Sequence, residues 1–311
     1  MSASGGNRAI VAALLANVGI AVTKFAAYLL TQSSSMLAES IHSLADSGNQ
    51  LLLLVGGRRA QRVATPEHPF GYGRERYVFA FIVSVVLFSV GGLFALYEGW
   101  HKLQHPEPID SWRWVPVVVL LLAIGMESLS LRTAVRESNH TRGKQSWVNF
   151  VRRAKAPELP VVLLEDFAAL IGLVLALLGV GLTLITDDGT WDGLGTIAIG
   201  LLLVCVAVVL AIETKSLLLG EAATPDAVRR IEAALVADPS VRRVIHMKTL
   251  HLGPEELLVA AKIAVAPTDS AADVAAAIDA AEARVREAEP IARVIYLEPD
   301  IDRGQSTLAT P

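Results

Sequence analysis

The sequence predicts a polytopic α-helical membrane protein, six transmembrane helices followed by a small cytoplasmic α+β domain, and three observations carry that prediction. Six apolar blocks lie at about 8–30, 33–55, 77–99, 112–132, 159–185 and 193–214. Each reaches the roughly 20 residues that a helix needs to cross the hydrocarbon core. Beyond about residue 220 the composition reverts to that of a soluble chain, and basic residues fall in alternate connections between the blocks. Hydrophobic residues make up 53% of the 311 and charged residues only 19%, with a mean hydropathy of +0.48, which sets the chain apart from ordinary soluble domains. The expected division is a membrane domain over 1–214, a tail domain over 215–302 and a disordered tail over 303–311.

The blocks take their orientation from the loops. Arg8 precedes the first block. Arg58, Arg59, Arg62, Arg74 and Arg76 lie between the second and third, and Arg136, Arg142, Lys144, Arg152, Arg153 and Lys155 between the fourth and fifth. Lys215 follows the sixth. The alternate connections are TQSSS at 31–35, a stretch near 101–113 with only Lys102 and Arg113, and the acidic DDGTWDG at 187–193. The positive-inside rule then puts both termini and the tail in the cytoplasm, and an even number of spans requires both ends on one side. Trp100, Trp112, Trp114 and Trp191 stand at block ends, as interfacial anchors do. The single Cys205 excludes a disulfide within the chain. The start, MSASGGNRAI, has the pattern of neither a cleaved signal nor an Arg-rich transit peptide.

The tail reads as α-β-β-α-β. Thr224-Pro225-Asp226 opens an amphipathic helix with a threonine cap and proline at the first helical position. Residues 241–251 and 256–266 are β-rich and joined by LGPEE, a hairpin signal. Ser270 with Asp273 forms a capping box before a second helix, and IARVIYLEP at 291–299 closes the module. That order fits a small ferredoxin-like sheet with its helices on one face.

Charge inside the apolar blocks needs a reason, because each ionised residue in a span costs about 2.5–3.5 kcal/mol on insertion scales. The second block contains Glu39, His42 and Asp46, whose offsets of three, four and seven share one helical stripe. The fifth contains Glu165 and Asp166, the fourth Glu127, and Lys24 lies near the end of the first. Imidazole and carboxylate together form a donor set for zinc and other transition metals. His42 and Asp46 supply two ligands from one helix, and Asp166 is the natural partner from a second. The plainer reading, hydrogen bonds between helices, accounts well for one buried carboxylate and poorly for His42, Asp46 and Asp166 together. Lys24 is expected to snorkel to the outer interface. Glu127 stands open between packing and an ion or proton relay, and Glu39 lies one turn outward from His42, placed to guard the route to the site. His101, His105 and His140 are loop residues with no evident partner.

SSSMLAESIHSLADSGNQ resembles the second span of the cation diffusion facilitator family, and PEHPFGYGRERYVFAF resembles that family's HPFGHG-type loop. RRAKAPELPVVLLEDFAALIG is similar to the branch that contains the mitochondrial-type zinc transporter of animals. The resemblance covers nearly the whole chain. It implies a homodimer that exports Zn²⁺ from the cytoplasm against H⁺ by alternating access, the metal being substrate rather than cofactor. It also implies a tetrahedral site with two ligands from the second span and two from the fifth, spaced four apart. Those positions fall on His42 and Asp46, and on Val162 and Asp166. Val162 cannot bind metal, so Glu165, water or Glu39 completes the shell. The family's HxxxH loop site falls on His68 and Tyr72. Its tail ligand positions fall on His246, Lys262, Tyr296 and Glu298, so a binuclear cluster is not expected there, and His246 and His251 read as surface strand residues. Arg74 with Glu221 is the nearest match to a basic-acidic pair that links the loop to the tail.

The expected partners are a divalent cation, protons, the lipid bilayer and a second copy of the chain, with no nucleic acid. The expected location is a bacterial inner membrane. The same transport with Mn²⁺, Co²⁺ or Fe²⁺ is one alternative, and a non-transporting membrane scaffold is another. An enzyme is not expected, since the sequence has no HExxH and no nucleophile-base pair stands out.

Overall fold

The computed structural model describes residues 3–106, 108–109 and 112–302, with side chains from residue 17 onward. The side chain of Arg8 and the expected disordered tail at 303–311 lie outside the described residues. The chain divides into two compact units. One is the chain up to Arg58 together with Arg76–Lys215, and the other is Arg59–Glu75 together with the chain from Ser216 onward.

The first unit is helical. It contains α1 (Ala3–Thr31), α2 (Ser34–Ala60), α3 (Glu75–Val86), a π-helical stretch (Leu87–Leu93), α4 (Phe94–Gln104), α5 (Trp114–Arg142), the short α6 (Trp147–Arg153), α7 (Glu158–Thr186) and α8 (Thr190–Leu219). The third stretch runs continuously over Glu75–Gln104. Among the described residues, four helical stretches are long and apolar enough to cross a membrane: Glu75–Gln104, α5, α7 and α8. The described apolar part of α1 covers Asn17–Thr31. α2 is 27 residues long, and its buried face is polar, with Ser35, Glu39, His42, Ser43, Ser47 and Asn49 turned inward. That face lowers its hydropathy and is also what gives the helix its interest.

Leu87, Leu120, Leu173, Ile199 and Leu203 are among the fully buried residues of the helical core. Small residues let helices approach backbone to backbone. A methyl group added at Gly200 would fall 2.8 Å from the Leu96 backbone nitrogen, and one at Gly179 would fall 2.9 Å from the Trp191 carbonyl. The start of α2 is capped from another helix. Asp192 of α8, fully buried, accepts from the backbone N–H of Ser34 at 2.8 Å and of Ser35 at 3.3 Å. It also accepts from the hydroxyls of Ser33 at 3.0 Å and Ser34 at 3.1 Å. These amides have no partner inside the helix, and a carboxylate there also meets the positive end of the helix dipole.

The second unit holds α9 (Pro225–Leu235), β1 (Arg243–Gly253), β2 (Glu256–Val265), α10 (Ala271–Ala288) and β3 (Ala292–Ile301). The sheet order is β1-β2-β3, with β1 antiparallel and β3 parallel to β2. A tight turn suffices for the antiparallel pair, while the parallel pair needs a crossover, which α10 provides. Thr224 caps α9 by accepting from the Ala227 amide, and Ser270 and Asp273 form the capping box of α10. Leu257, Val259, Ala261 and Ile263 face the core, where Ile231 and Leu235 of α9 and Val285 of α10 bury against them. The segment before α3 belongs to this unit, and Gly73 approaches so closely that an added methyl would sit 2.8 Å from the Leu252 carbonyl. The His68 and Tyr72 rings meet edge to face, with centroids 4.7 Å apart. Arg74 lies beside Gly220, the residue before Glu221. His246 is exposed on β1, but His251 is buried, contrary to the surface position expected for it. It pairs in register with Leu257 at the core end of the sheet, and its Nδ1 lies 3.3 Å from the Gly253 carbonyl oxygen.

Candidate functional site

Four helices of the first unit enclose a small polar cavity of about 30 Å³. α1 contributes Asn17, α2 contributes Asp46 and Gln50, α5 contributes Glu127 and Ser130, and α7 contributes Val162, Glu165 and Asp166. Three of the residues singled out in the sequence, Asp46, Glu165 and Asp166, therefore line one space. The i, i+4 relation puts Val162 on the wall with Asp166, and the adjacent Glu165 still reaches the same cavity.

The two carboxylates of α7 are each held from a neighbouring helix. Asn49 of α2 donates to Glu165 Oε1 at 2.7 Å, and Ser130 of α5 donates to Asp166 Oδ2 at 2.8 Å. His42 does not line the cavity. It lies one turn away, with Nε2 3.5 Å from Asp46 Oδ2. Among the described residues, no three His, Cys, Asp or Glu side chains gather closely enough to hold a metal ion. The helices thus bring Asp46, Glu165 and Asp166 to one place, with the histidine beside them, without drawing the four side chains into a coordination shell.

The donor set still fits a cation. Both ring nitrogens of His42, Asp46 Oδ1, Asn49 Oδ1 and Glu39 Oε1 are buried without a hydrogen-bond partner. Buried polar atoms are nearly always partnered, so a run of exceptions on one helix needs an explanation such as an ion or water. The π-helical stretch faces the same place, since a methyl at Gly91 would come within 3.9 Å of His42 Nδ1. π-helical insertions in helices often mark functional positions.

Lys24 corrects the sequence reading. It is buried and does not snorkel outward. Its ammonium donates to Glu39 Oε2 at 3.0 Å and to Ser43 Oγ at 2.8 Å. One Glu39 oxygen is therefore taken by an ion pair between α1 and α2. Asn17, Asn49, Gln50 and Ser130 were missed in the sequence. For Ser130 the signal was its position three residues after Glu127, which puts the two on one side of α5.

Residues 10–219 match the cation efflux transmembrane domain family. The mitochondrial proton-coupled zinc antiporter SLC30A9 of Xenopus laevis is 33% identical over 265 residues, 85% of this chain and 47% of that protein. The Homo sapiens protein of that name is 37% identical over 232 residues, 74% of this chain and 41% of that protein. Cation-efflux pump FieF of Klebsiella pneumoniae is 26% identical over 258 residues, 81% of this chain and 79% of that protein. The chain spans less than half the length of the vertebrate relatives it matches. A buried carboxylate cavity in a bundle of apolar helices, and a family match over most of that bundle, lead to one conclusion: this integral membrane protein belongs to the cation efflux (cation diffusion facilitator) family and resembles its SLC30A9 branch.

Proposed function

We propose that the chain exports a divalent metal cation, Zn²⁺ first among candidates, from the cytoplasm in exchange for protons. The observation that carries this reading is the cavity shared by Asp46, Glu165 and Asp166, with His42 one turn away and its ring nitrogens unpartnered. His42, Asp46 and Asp166 are the metal ligands in this reading, and Glu165 is the fourth ligand or the proton acceptor beside it. Glu39 serves the ion pair with Lys24 rather than the metal. Protonated imidazole and carboxyl groups do not bind metal, so protons and the cation compete for the same atoms, and that competition couples the two flows.

The same reading takes α1, α2, Glu75–Gln104, α5, α7 and α8 as six spans, with both termini in the cytoplasm of a bacterial cell. It takes the α-β-β-α-β tail as a ferredoxin-like domain that holds two copies together. The names of the SLC30A9 relatives support zinc and proton coupling for this chain. One observation favours a harder ion such as Mn²⁺ or Fe²⁺ as a second reading: His42 is off the cavity wall, which leaves Asp46, Glu127, Glu165 and Asp166 as an all-oxygen surface. Metal uptake into proteoliposomes under an imposed pH gradient tests both readings. Zn²⁺ flux that stops when the gradient is collapsed, and that Asp46→Ala abolishes, is the expected result. Flux of Mn²⁺ in preference to Zn²⁺ would transfer the assignment to the second reading, and absence of metal flux would end both.

A further inference from the structure

The short α6 brings apolar and basic groups together at one end of the helical unit. Phe150 is buried in a cluster with Ala134 of α5 and Leu163 of α7, which anchors α6 by a single ring. Beside it lies an apolar groove of about 920 Å³, walled by Leu131 and Val135 of α5, Trp147 and Val148 of α6, Phe167 of α7 and Ile212 of α8. That size is within the roughly 300–1,000 Å³ typical of pockets that hold a defined ligand. Its walls are open to the surroundings, with Phe167 50%, Ile212 60% and Val148 64% exposed. On the membrane-spanning unit, such a surface meets lipid.

The mouth of the groove is charged. Arg152 lies 3.6 Å from Glu213 with its side chain still 70% exposed. The Arg142 guanidinium stacks 4.2 Å over the Trp147 ring. Between 136 and 155 the chain carries six basic residues, Arg136, Arg142, Lys144, Arg152, Arg153 and Lys155, against Glu137 alone. Tryptophan and arginine at one level are what the membrane interface selects.

We propose that this groove binds one anionic phospholipid, with an acyl chain along the apolar walls and the headgroup phosphate on Arg152. Charge decides the class. A zwitterionic headgroup brings its own cation to a mouth that is already basic, whereas an anionic headgroup leaves a net negative charge to be matched. Guanidinium and phosphate form charge-assisted, frequently bidentate hydrogen bonds. Glu213 competes for Arg152, but it covers only part of an exposed guanidinium. Basic pockets between membrane helices on the cytoplasmic side are a known way to hold acidic headgroups.

The test uses the full chain in nanodiscs doped with brominated phosphatidylglycerol or brominated phosphatidylcholine. Bromine quenches tryptophan, and subtracting the Trp147→Phe variant isolates Trp147 among the five tryptophans. The expected result is half-quenching of Trp147 at an about fivefold lower fraction of phosphatidylglycerol than of phosphatidylcholine, the factor for one arginine near an acidic headgroup. Arg152→Gln brings the two curves together, and Arg152→Lys, which keeps the charge, retains the preference. Equal quenching by both lipids in the wild type would mean ordinary boundary lipid and overturn the proposal. So would an unchanged preference in Arg152→Gln, and so would relief of quenching by inorganic phosphate, which would mean a free-anion site.

Discussion

Glu165 is the carboxylate that needs an explanation, since Val162, four residues before Asp166 on the same cavity wall, cannot bind metal. A carboxylate on an apolar helix is costly unless it is paired, protonated or bound to metal. Asn49 supplies one hydrogen bond to Glu165 and no positive charge. Glu165→Gln keeps the shape and the hydrogen-bonding capacity but removes the charge and a proton site. Zn²⁺ affinity is expected to fall and the pH profile of transport to flatten, since one competing proton is gone. Unchanged affinity with an unchanged profile would reduce Glu165 to packing. Lys24 poses the complementary question. Removing one partner of a buried ion pair costs about 3–5 kcal/mol because the other charge is left unpaired. Lys24→Met should therefore lower the thermal stability of the purified chain strongly, and adding Glu39→Gln should recover part of the loss. A silent Lys24→Met would restore the snorkelling picture. The sequence showed which residues are ionisable and that Glu39, His42 and Asp46 share a stripe. It did not show that Lys24 faces that stripe, because helix rotation is set by packing between helices and leaves no trace in spacing along one of them.

At the scale of elements, caps and hairpins were legible and joins between distant segments were not. Thr224-Pro225, the Ser270/Asp273 box and LGPEE act within a few residues, so the local sequence contains the whole interaction. The α2 cap joins positions about 160 apart. Asp192 belongs to a stretch that read simply as an acidic connection, and nothing nearby marks it as the partner of Ser34 and Ser35. The π-helical stretch at Leu87–Leu93 lies within a continuous apolar run, and its Ser89 and Gly91-Gly92 do not by themselves distinguish a π-helical turn from an α-helical one. Asp192→Ala leaves two buried backbone amides without acceptors, a penalty of about 1–3 kcal/mol each. The expected outcome is a clear drop in the melting temperature of the purified protein, with Asp192→Asn, which retains an acceptor oxygen, falling less. Equal melting of Asp192→Ala and wild type would show that the cap contributes nothing to stability.

At the scale of the molecule, the question is how many metal ions one chain holds. On the outer face of the sheet, His246, Lys262 and Glu298 sit side by side in register. Lys262 donates to Glu298 from 2.9 Å and to Asp300 from 3.3 Å. Those hydrogen bonds hold its ammonium above the usual lysine range, so it stays charged where a metal ion would have to sit. A fixed ammonium among these acids occupies their lone pairs and repels a second cation. The helical unit, by contrast, carries Asp46, Glu165 and Asp166 on one cavity, with His42 beside them and neither of its ring nitrogens hydrogen-bonded. Tight Zn²⁺ binding to the full chain should therefore reside in the helical unit alone. Calorimetric titration of His42→Ala/Asp46→Ala should show no tight binding left, while His246→Ala should titrate like the wild type. A tight site that survives in the double variant and disappears with His246→Ala would place metal on the sheet. It would then follow that Lys262 gives way to the ion and that its ammonium does not keep a second cation off this face.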